Sequence, residues 1–337
     1  MAEKTEAPEQ VPTADEEKAP PTNGKAAIQI RNLTKFYGEF LAVENISFDV
    51  WEGEILGFIG PNGAGKSTTL KILTCFMPAS EGKVTVAGHD VFTDSLEVRK
   101  NIGYMPENVP LYPEMRVREY LKFRAAIKYV PRSERKERIR DVIGKCGITD
   151  VENKIIGQLS KGYRQRVGLA DALISNPRIL ILDEPLASLD PNQQQMAKDL
   201  IKSLRGQHTI IFSTHILADV GEIADRMIII DQGRVVGSGT PDEFAQRFES
   251  EHHLRVEVVG PVDEITNTVK GIQGVTEVEA SDHEGLVTLK VTSEQDADIR
   301  EEVTRAIVEK KWGLREVRAE RIELAEIFAR LTGSREE

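Results

Sequence analysis

The stretch ILGFIGPNGAGKSTTLKIL, residues 55–73, determines the fold class that the sequence predicts. Its first residues, 55–59, form the short apolar run that is typical of a buried strand. Residues 60–65 are rich in glycine and contain a proline, which ends regular structure, and a helical pattern follows up to Leu73. A strand, a glycine-rich loop and a helix in this order predict an α/β fold whose loop binds phosphate.

The residue types in this loop suit a nucleoside triphosphate. Glycine has no Cβ, so backbone N–H groups can curl around an anion, and the start of the next helix adds positive charge. Lys66 would contact the β- and γ-phosphates, and the Ser67 hydroxyl would bind Mg²⁺. A glycine-rich turn with an incidental lysine is the alternative, which the flanking strand and helix disfavour. The predicted cofactors are ATP and Mg²⁺, and the predicted nucleotide-binding residues are Gly60, Asn62, Gly63, Gly65, Lys66, Ser67 and Thr68.

A second apolar run, RILILDEP at residues 178–185, ends in two acidic residues. An apolar run of this kind is typical of a central parallel strand, and such strands place ligand chemistry at their carboxyl ends. We predict that Asp183 holds the metal, directly or through water, and that Glu184 orients and deprotonates the attacking water. Runs followed by acids are common in proteins, so this prediction depends on the phosphate-binding loop.

A third run, TIIFSTH, places His215 just after a predicted strand. A histidine there is either a structural hydrogen-bonding residue or, at an edge shared with the phosphate-binding loop, a contact to the γ-phosphate.

Composition limits the classes of protein that the chain can belong to. Its 337 residues are 40% hydrophobic and 29% charged, enough for two domains with separate cores. The net charge of −11 argues against a nucleic-acid surface, which needs clustered positive charge. Cys75 and Cys146 match no metal spacing, so we expect a reduced, cytoplasmic protein. No apolar run reaches the roughly 18–20 residues that cross a bilayer, so we expect any membrane role to act through a partner.

The pattern along the chain predicts three parts. Residues 1–26 are acidic and proline-rich, and we expect this tail to be disordered. Residues 27–251 alternate apolar runs with helical patterns, as an α/β core does. Residues 252–337 read as βαββαβ, which predicts a small α+β ferredoxin-like domain. A last helix would carry an apolar stripe, which consists of Leu324, Ile327, Phe328 and Leu331.

The segment LSKGYRQR, residues 159–166, resembles the signature motif of ABC-type ATPases, usually written LSGGQ and followed by Gln-Arg. The resemblance covers about residues 27–248 and includes every expected block in order. It implies a P-loop NTPase fold with antiparallel β and helical subdomains, the helical one at about residues 109–175. It also implies that Tyr37 stacks on adenine, that Asp190 is the D-loop aspartate and that His215 is the switch histidine.

ABC-type ATPases work as head-to-tail dimers, and the resemblance implies the same here. Each ATP would lie between one P-loop and residues of the other copy, which are Ser160, Lys161, Gly162 and Asp190. The wording of several motifs is most similar to type-2 ABC exporter ATPases of the gliding-motility branch. This implies a homodimer or a pair with a related ATPase subunit, coupled to an integral-membrane permease at the cytoplasmic face of the inner membrane. The alternative is a soluble ABC ATPase that acts on nucleic acid or ribosomes.

Two departures from the family pattern leave interpretations open. Lys161 and Tyr163 replace the usual Gly and Gln of the signature, and Lys161 either adds charge near the γ-phosphate of the other copy or points to solvent. Glu107, in the loop IGYMPENVPLY, stands where the family usually has a glutamine that binds Mg²⁺. It is either a solvated loop residue or a carboxylate ligand for the same metal. We predict Ser67, Glu107 and Asp183 as the metal ligands.

Overall fold

The computed structural model describes residues 24–187, 189–248, 252–283, 285–293 and 299–320. These residues form two compact units, of which the first ends at Pro241 and the second begins at Asp242. The domain boundary near Glu251 stays a prediction. Most of the predicted tail and the whole predicted C-terminal helix lie outside the described residues. None of the described helices is long and apolar enough to cross a membrane.

The first unit contains two β-sheets. One is four-stranded with the order β2-β1-β4-β5, and the other is six-stranded with the order β10-β9-β3-β8-β7-β6. The strands are β1 (Ala26–Tyr37), β2 (Phe40–Trp51), β3 (Ile55–Ile59), β4 (Glu81–Val86), β5 (His89–Asp90), β6 (Ile102–Met105), β7 (Ile179–Asp183), β8 (Thr209–Thr214), β9 (Arg226–Asp231) and β10 (Arg234–Gly239). Pairing is antiparallel in the first sheet and parallel from β9 to β6 in the second, where β10 adds an antiparallel edge.

Helices connect these strands and cover the sheets. They are α1 (Lys66–Leu73), α2 (Ser95–Asn101), α3 (Val117–Ile127), α4 (Arg135–Lys145), α5 (Lys161–Leu173), α6 (Pro191–Ser203) and α7 (Leu217–Ile223), and α8 (Pro241–Phe248) follows at the end of the unit. The helices α3, α4 and α5 lie within the range where the sequence predicts a helical subdomain. A buried Asp171 on α5 joins two of them, because it accepts two hydrogen bonds from Arg124 on α3, at 2.8 and 2.9 Å.

The central strands explain where the site lies. Every residue of β3, β7 and β8 is buried, as expected of parallel strands covered on both faces. Ile59 at the end of β3 pairs with Thr214, and Asp183 at the end of β7 pairs with Ser213. The carboxyl ends of these three neighbouring strands therefore meet at one edge of the sheet, where open α/β sheets bind ligands.

The second unit has its own sheet and core. Its elements are β11 (His252–Val259), α9 (Val262–Lys270), β12 (Val275–His283), β13 (Leu286–Ser293), α10 (Arg300–Glu309) and β14 (Gly313–Glu320), and the sheet order is β12-β13-β11-β14 with antiparallel pairing throughout. The core packs Ile265 of α9 and Val303 of α10 against Val256 and Leu289 of the sheet. On α10 the buried face continues through Ile307 rather than the predicted Ala306. The description of this unit as ferredoxin-like stays a prediction, with which the βαββαβ order agrees.

Candidate functional site

The first component of the site is Lys66, at the start of α1. Its Nζ donates to the carbonyl oxygens of Gly60 at 2.7 Å and Pro61 at 3.2 Å, and it lies 3.6 Å from Oε1 of Glu184. Only 6% of this residue is exposed. Burial lowers the pKa of the Lys66 ammonium, and the facing Glu184 carboxylate opposes that shift. Lys66 is thus held as a buried point charge beside the loop.

Two glycines show why this loop needs its sequence. Gly65 caps α1 with a φ of 103°, and a Cβ there would lie 2.7 Å from the carbonyl oxygen of Ala42. Gly63 has a φ of 83° and lines the cavity described below, and a Cβ there would meet no atom within 4 Å. The open space over Gly63 and the buried charge of Lys66 fit a bound phosphate group.

The second component is the Asp183 carboxylate at the end of β7. Its Oδ1 accepts hydrogen bonds from Oγ of Ser67 at 3.1 Å and Oγ of Ser213 at 2.6 Å. A carboxylate beside a hydroxyl is a donor set that suits Mg²⁺, which proteins bind with one or two carboxylates together with substrate phosphates. The described residues contain no group of three or more His, Cys, Asp or Glu side chains that could hold a metal ion.

The third component is Glu184, whose backbone and side chain are both constrained. Its φ of 49° lies in the left-handed region, which costs a non-glycine residue about 1–2 kcal/mol. Its N–H donates to Oγ of Ser213 at 2.9 Å, and its Oε2 lies 3.0 Å from Nδ1 of His215. The carboxylate therefore sits between a histidine and the Lys66 ammonium, the place where a base could accept a proton from water.

These components line one cavity of about 610 Å³. Tyr37 lies on its wall and is 45% exposed, which leaves its ring free to stack on a planar group. Its hydroxyl donates to the sulfur of Met77 at 3.0 Å. The other predicted residues on the wall are Asn62, Gly63, Gly65, Lys66, Ser67, Thr68, Glu107, Glu184 and His215. Gly60 and Asp183 are hydrogen-bonded to Lys66 and Ser67, so the structure brings all the predicted nucleotide, metal and catalytic residues together.

Glu107 lies on this wall as an exposed residue, in the loop after β6. Its position beside the cavity favours the metal-ligand interpretation over the solvated-loop one, because the carboxylate adds negative charge near Lys66. The backbone of this loop is held from α5, because Nε2 of Gln165 donates to the Glu107 carbonyl oxygen at 3.2 Å.

The predicted contacts to the other ATPase copy lie elsewhere on the first unit. Ser160 caps α5, where its Oγ accepts from the N–H of Tyr163 at 3.3 Å. Asp190 caps α6 in the same way, with Oδ1 accepting from the N–H of Gln193 at 3.0 Å. Gly162 faces this second cap, since a Cβ there would collide with the side chain of Gln193. None of Ser160, Lys161, Gly162 and Asp190 lines the 610 Å³ cavity in the described part of the chain.

Tyr163, one of the departures from the signature pattern, bonds within its own chain. Its hydroxyl donates to Oδ2 of Asp150 at 2.6 Å, and the guanidinium of Arg166 stacks over its ring at 4.3 Å. This hydrogen bond raises the pKa of the Tyr163 hydroxyl. Tyrosine thus fastens the first turn of α5 to the turn at residues 149–151. Lys161 is exposed, which leaves both interpretations of that residue open.

The sequence analysis missed three residues of the site. Ser213 bonds both Asp183 and Glu184 from the next strand, and Phe40 and Gln194 lie on the cavity wall. The signal for Ser213 was a small polar residue near the end of an otherwise apolar strand. Phe40 and Gln194 carry no comparable local signal.

Comparison with known proteins agrees with this geometry. The family model for ABC transporters matches residues 43–187. The linearmycin resistance ATP-binding protein LnrL of Bacillus subtilis is 30% identical, over 77% of this chain and 88% of its own length. This chain belongs to the ABC transporter ATP-binding proteins.

Other members of the family extend the comparison. The daunorubicin resistance ATP-binding protein DrrA3 of Streptomyces coeruleorubidus is 30% identical to this ABC ATPase, over 91% of this chain and 96% of its own length. A solved dimeric structure of the ATP-binding cassette MJ0796, in a post-hydrolysis state with ADP and Pi, is 28% identical with a TM-score of 0.59, over 63% of this chain and 98% of its own. The predicted family, P-loop fold and ATPase activity are confirmed.

The two hydrogen bonds of Ser213 generate a prediction for this ABC ATPase. Ser213→Ala removes the donor to Asp183 and leaves the buried N–H of Glu184 without a partner, which costs about 1–3 kcal/mol. Because that N–H holds the backbone of Glu184 in its strained conformation, we expect ATP turnover to fall by about ten-fold or more.

The measurement is steady-state ATP hydrolysis by the full chain, with Ser203→Ala as control. Ser203 also donates a hydrogen bond but lies exposed on α6, so its variant should keep the turnover of the wild type. Equal turnover in Ser213→Ala and Ser203→Ala would show that Ser213 does not position the carboxylates.

Proposed function

We propose that this chain is the ATP-hydrolysing subunit of an ABC exporter and that two copies, or one copy and a related subunit, close head-to-tail around ATP. ATP binding would join the two ATPase subunits, and hydrolysis would release them. That cycle would drive a separate integral-membrane permease, with the ATPase bound at the cytoplasmic face of the inner membrane. The resistance proteins named above support export, and the negative net charge disfavours the alternative of a nucleic-acid or ribosomal partner.

The observation that carries this proposal is the separation of the P-loop cavity from the signature residues. Within one chain, the described residues of the cavity wall include the P-loop but not Ser160, Lys161 or Gly162. The start of α5 is nevertheless a capped helix N-terminus, which favours an anion. A second copy in head-to-tail orientation would bring that helix start to the ATP of the first, as the dimeric structure of MJ0796 suggests.

The site residues have the following proposed roles. Lys66 binds the phosphates together with the loop glycines, Asn62 and Thr68, while Tyr37 stacks on adenine. Glu184 accepts the proton of the attacking water, and His215 orients that carboxylate and contacts the γ-phosphate. A bound Mg²⁺ neutralises developing phosphate charge.

The metal would be held by Ser67 and Asp183, which already share a hydrogen bond, and by Glu107. Ser160, Lys161, Gly162 and Asp190 would contact ATP of the other copy.

A groove of about 530 Å³ offers a place for the permease. It is lined mainly by apolar surface from the loop that carries Glu107, including Pro106, Val109 and Pro110, and it is bordered by Phe76, which is 74% exposed. Exposed apolar surface of this kind marks interaction sites. Because the groove and the ATP cavity share one loop, the permease could sense the nucleotide through residues 106–110.

The groove generates a prediction about membrane association. Phe76→Glu places a charge on apolar surface, and burying a Phe side chain contributes about 1.5–3 kcal/mol, so we expect about ten-fold less chain in the membrane fraction. Tyr129→Glu is the control, because Tyr129 is 83% exposed and lies outside the groove. Both variants should keep ATPase activity in detergent-free solution. Recovery of the wild type with ribosomal RNA instead of membranes would favour the alternative function.

Glu107 generates a prediction about Mg²⁺. Its carboxylate should repel the nucleotide phosphates unless the metal lies between them, and two unit charges about 4 Å apart in water interact by about 1 kcal/mol. We expect the gain in ATP affinity on adding Mg²⁺ to be about five-fold larger in the wild type than in Glu107→Gln. Equilibrium binding of a fluorescent ATP analogue, with and without Mg²⁺, measures both affinities. Glu114→Gln, exposed and outside the cavity, is the control, and an equal gain in all three proteins would return Glu107 to the solvated-loop interpretation.

Head-to-tail assembly predicts that two inactive variants complement each other. Lys66→Ala removes the phosphate contact of one site, whereas Ser160→Asp keeps an N-cap on α5 but aims a negative charge at the ATP of the other copy. Each variant alone should lack hydrolysis. A mixture contains pairs in which an intact P-loop meets an intact signature, so ATP turnover should return to about a quarter of the wild-type rate under random pairing, which P-loop charge rules require at one site per mixed pair.

Hydrolysis in the mixture is measured against the same total concentration of each variant alone. A mixture that stays inactive, with both variants folded and Ser160→Asp still binding ATP, would contradict assembly across two chains.

A further inference from the structure

Gln165 joins the signature helix α5 to the loop that carries Glu107. Its side-chain Nε2 donates to the Glu107 carbonyl oxygen at 3.2 Å, and the residue is only 6% exposed. One turn later, α5 and the loop are in close contact again, because a Cβ on Gly168 would lie 2.6 Å from Cγ1 of Val109. The loop therefore lies on α5 through one hydrogen bond and one close packing contact.

The amide of Gln165 is only half satisfied in this arrangement. Its Oε1 is buried and has no hydrogen-bond partner among the described residues, although buried polar atoms nearly always have one. Exchanging the amide oxygen and nitrogen would not help, because Oε1 would then face the carbonyl oxygen of Glu107. A buried acceptor without a donor favours any rearrangement of the loop or helix that supplies one.

The two ends of this connection are the two halves of the proposed ATP site. Glu107 lines the cavity of its own chain, and Ser160 caps α5 at the end that would meet ATP of the other copy. Five residues of helix separate Ser160 from Gln165, which is about 7 Å along the axis at 1.5 Å per residue. A helix this short transmits a displacement at Gln165 to its first turn.

We propose that Gln165 is a positioning residue that couples the occupancy of the chain's own ATP cavity to the position of the α5 start. This rests on the proposed head-to-tail function. When Mg²⁺ and nucleotide engage Glu107, the loop moves, and Gln165 carries that movement to the signature residues that contact the other ATP. The chain then offers its signature to a second copy in the required position only when its own cavity is filled.

A purely structural role for Gln165 makes a different prediction. In that case a variant would change the stability of the fold and leave the response of α5 to nucleotide unaltered. Gln165→Met separates the two, because methionine has nearly the same shape and removes both the donor and the unpaired acceptor, a change that is often neutral for stability. Gln195→Met is the matched control, since Gln195 also donates a side-chain hydrogen bond, to Asp199 at 2.9 Å, but is exposed on α6.

The experiment measures hydrogen–deuterium exchange of the full chain with and without Mg²⁺ and ATP, at a dilution where sedimentation shows a monomer. At that dilution only the chain's own cavity can act on α5. In the wild type and in Gln195→Met, we expect nucleotide to slow amide exchange both in the P-loop, residues 60–67, and in the first turn of α5. In Gln165→Met, the P-loop response should remain, whereas the α5 response should be about ten-fold smaller, a typical coupling between sites.

The outcomes distinguish this inference from the function on which it rests. An α5 response in Gln165→Met equal to that of the wild type, or no α5 response in the wild type, overturns the role of Gln165. Absence of a P-loop response in every protein overturns the proposed ATP site itself. The unfolding midpoint of Gln165→Met, measured in parallel, should equal or exceed that of the wild type, and a lower one with an unchanged α5 response assigns Gln165 a structural role.

Discussion

The Asp183 carboxylate is the interaction on which the rest of the site depends. One oxygen accepts hydrogen bonds from Ser67, at the start of α1, and from Ser213, on the neighbouring strand β8. Three segments that are far apart in the sequence are thereby held at one edge of the sheet. The surrounding strands are buried throughout, so these bonds are shielded from water and each is stronger than it would be at the surface.

The same edge explains why Glu184 and Lys66 face each other. β7 ends at Asp183, and the following residue turns back so that its carboxylate lies 3.6 Å from the ammonium of Lys66. A buried charge needs a partner, and here each of the two provides it for the other. The chain thus holds opposite charges ready before any ligand arrives, which lowers the reorganisation required when one binds.

The sequence was sufficient to predict the elements whose signals are local. The P-loop, the acidic end of β7 and the βαββαβ order of the second unit each follow from a short pattern of residues, and the structure has all of them. Ser213 and Gln165 could not be predicted, because their roles depend on strand register and helix packing between segments distant in sequence. The replacement of Gln by Tyr163 was visible in the sequence, but its bond to Asp150 appears only when α5 is folded beside the turn at 149–151.

The left-handed backbone of Glu184 sets folding and chemistry against each other at a single position. Glycine or asparagine would adopt this φ at little cost, so selection for thermal stability alone would replace the glutamate. The proposed proton acceptor survives only where selection for turnover is stronger. Position 184 is therefore a place where an evolving or engineered relative can gain stability in one substitution and become a nucleotide-binding protein that no longer hydrolyses what it binds.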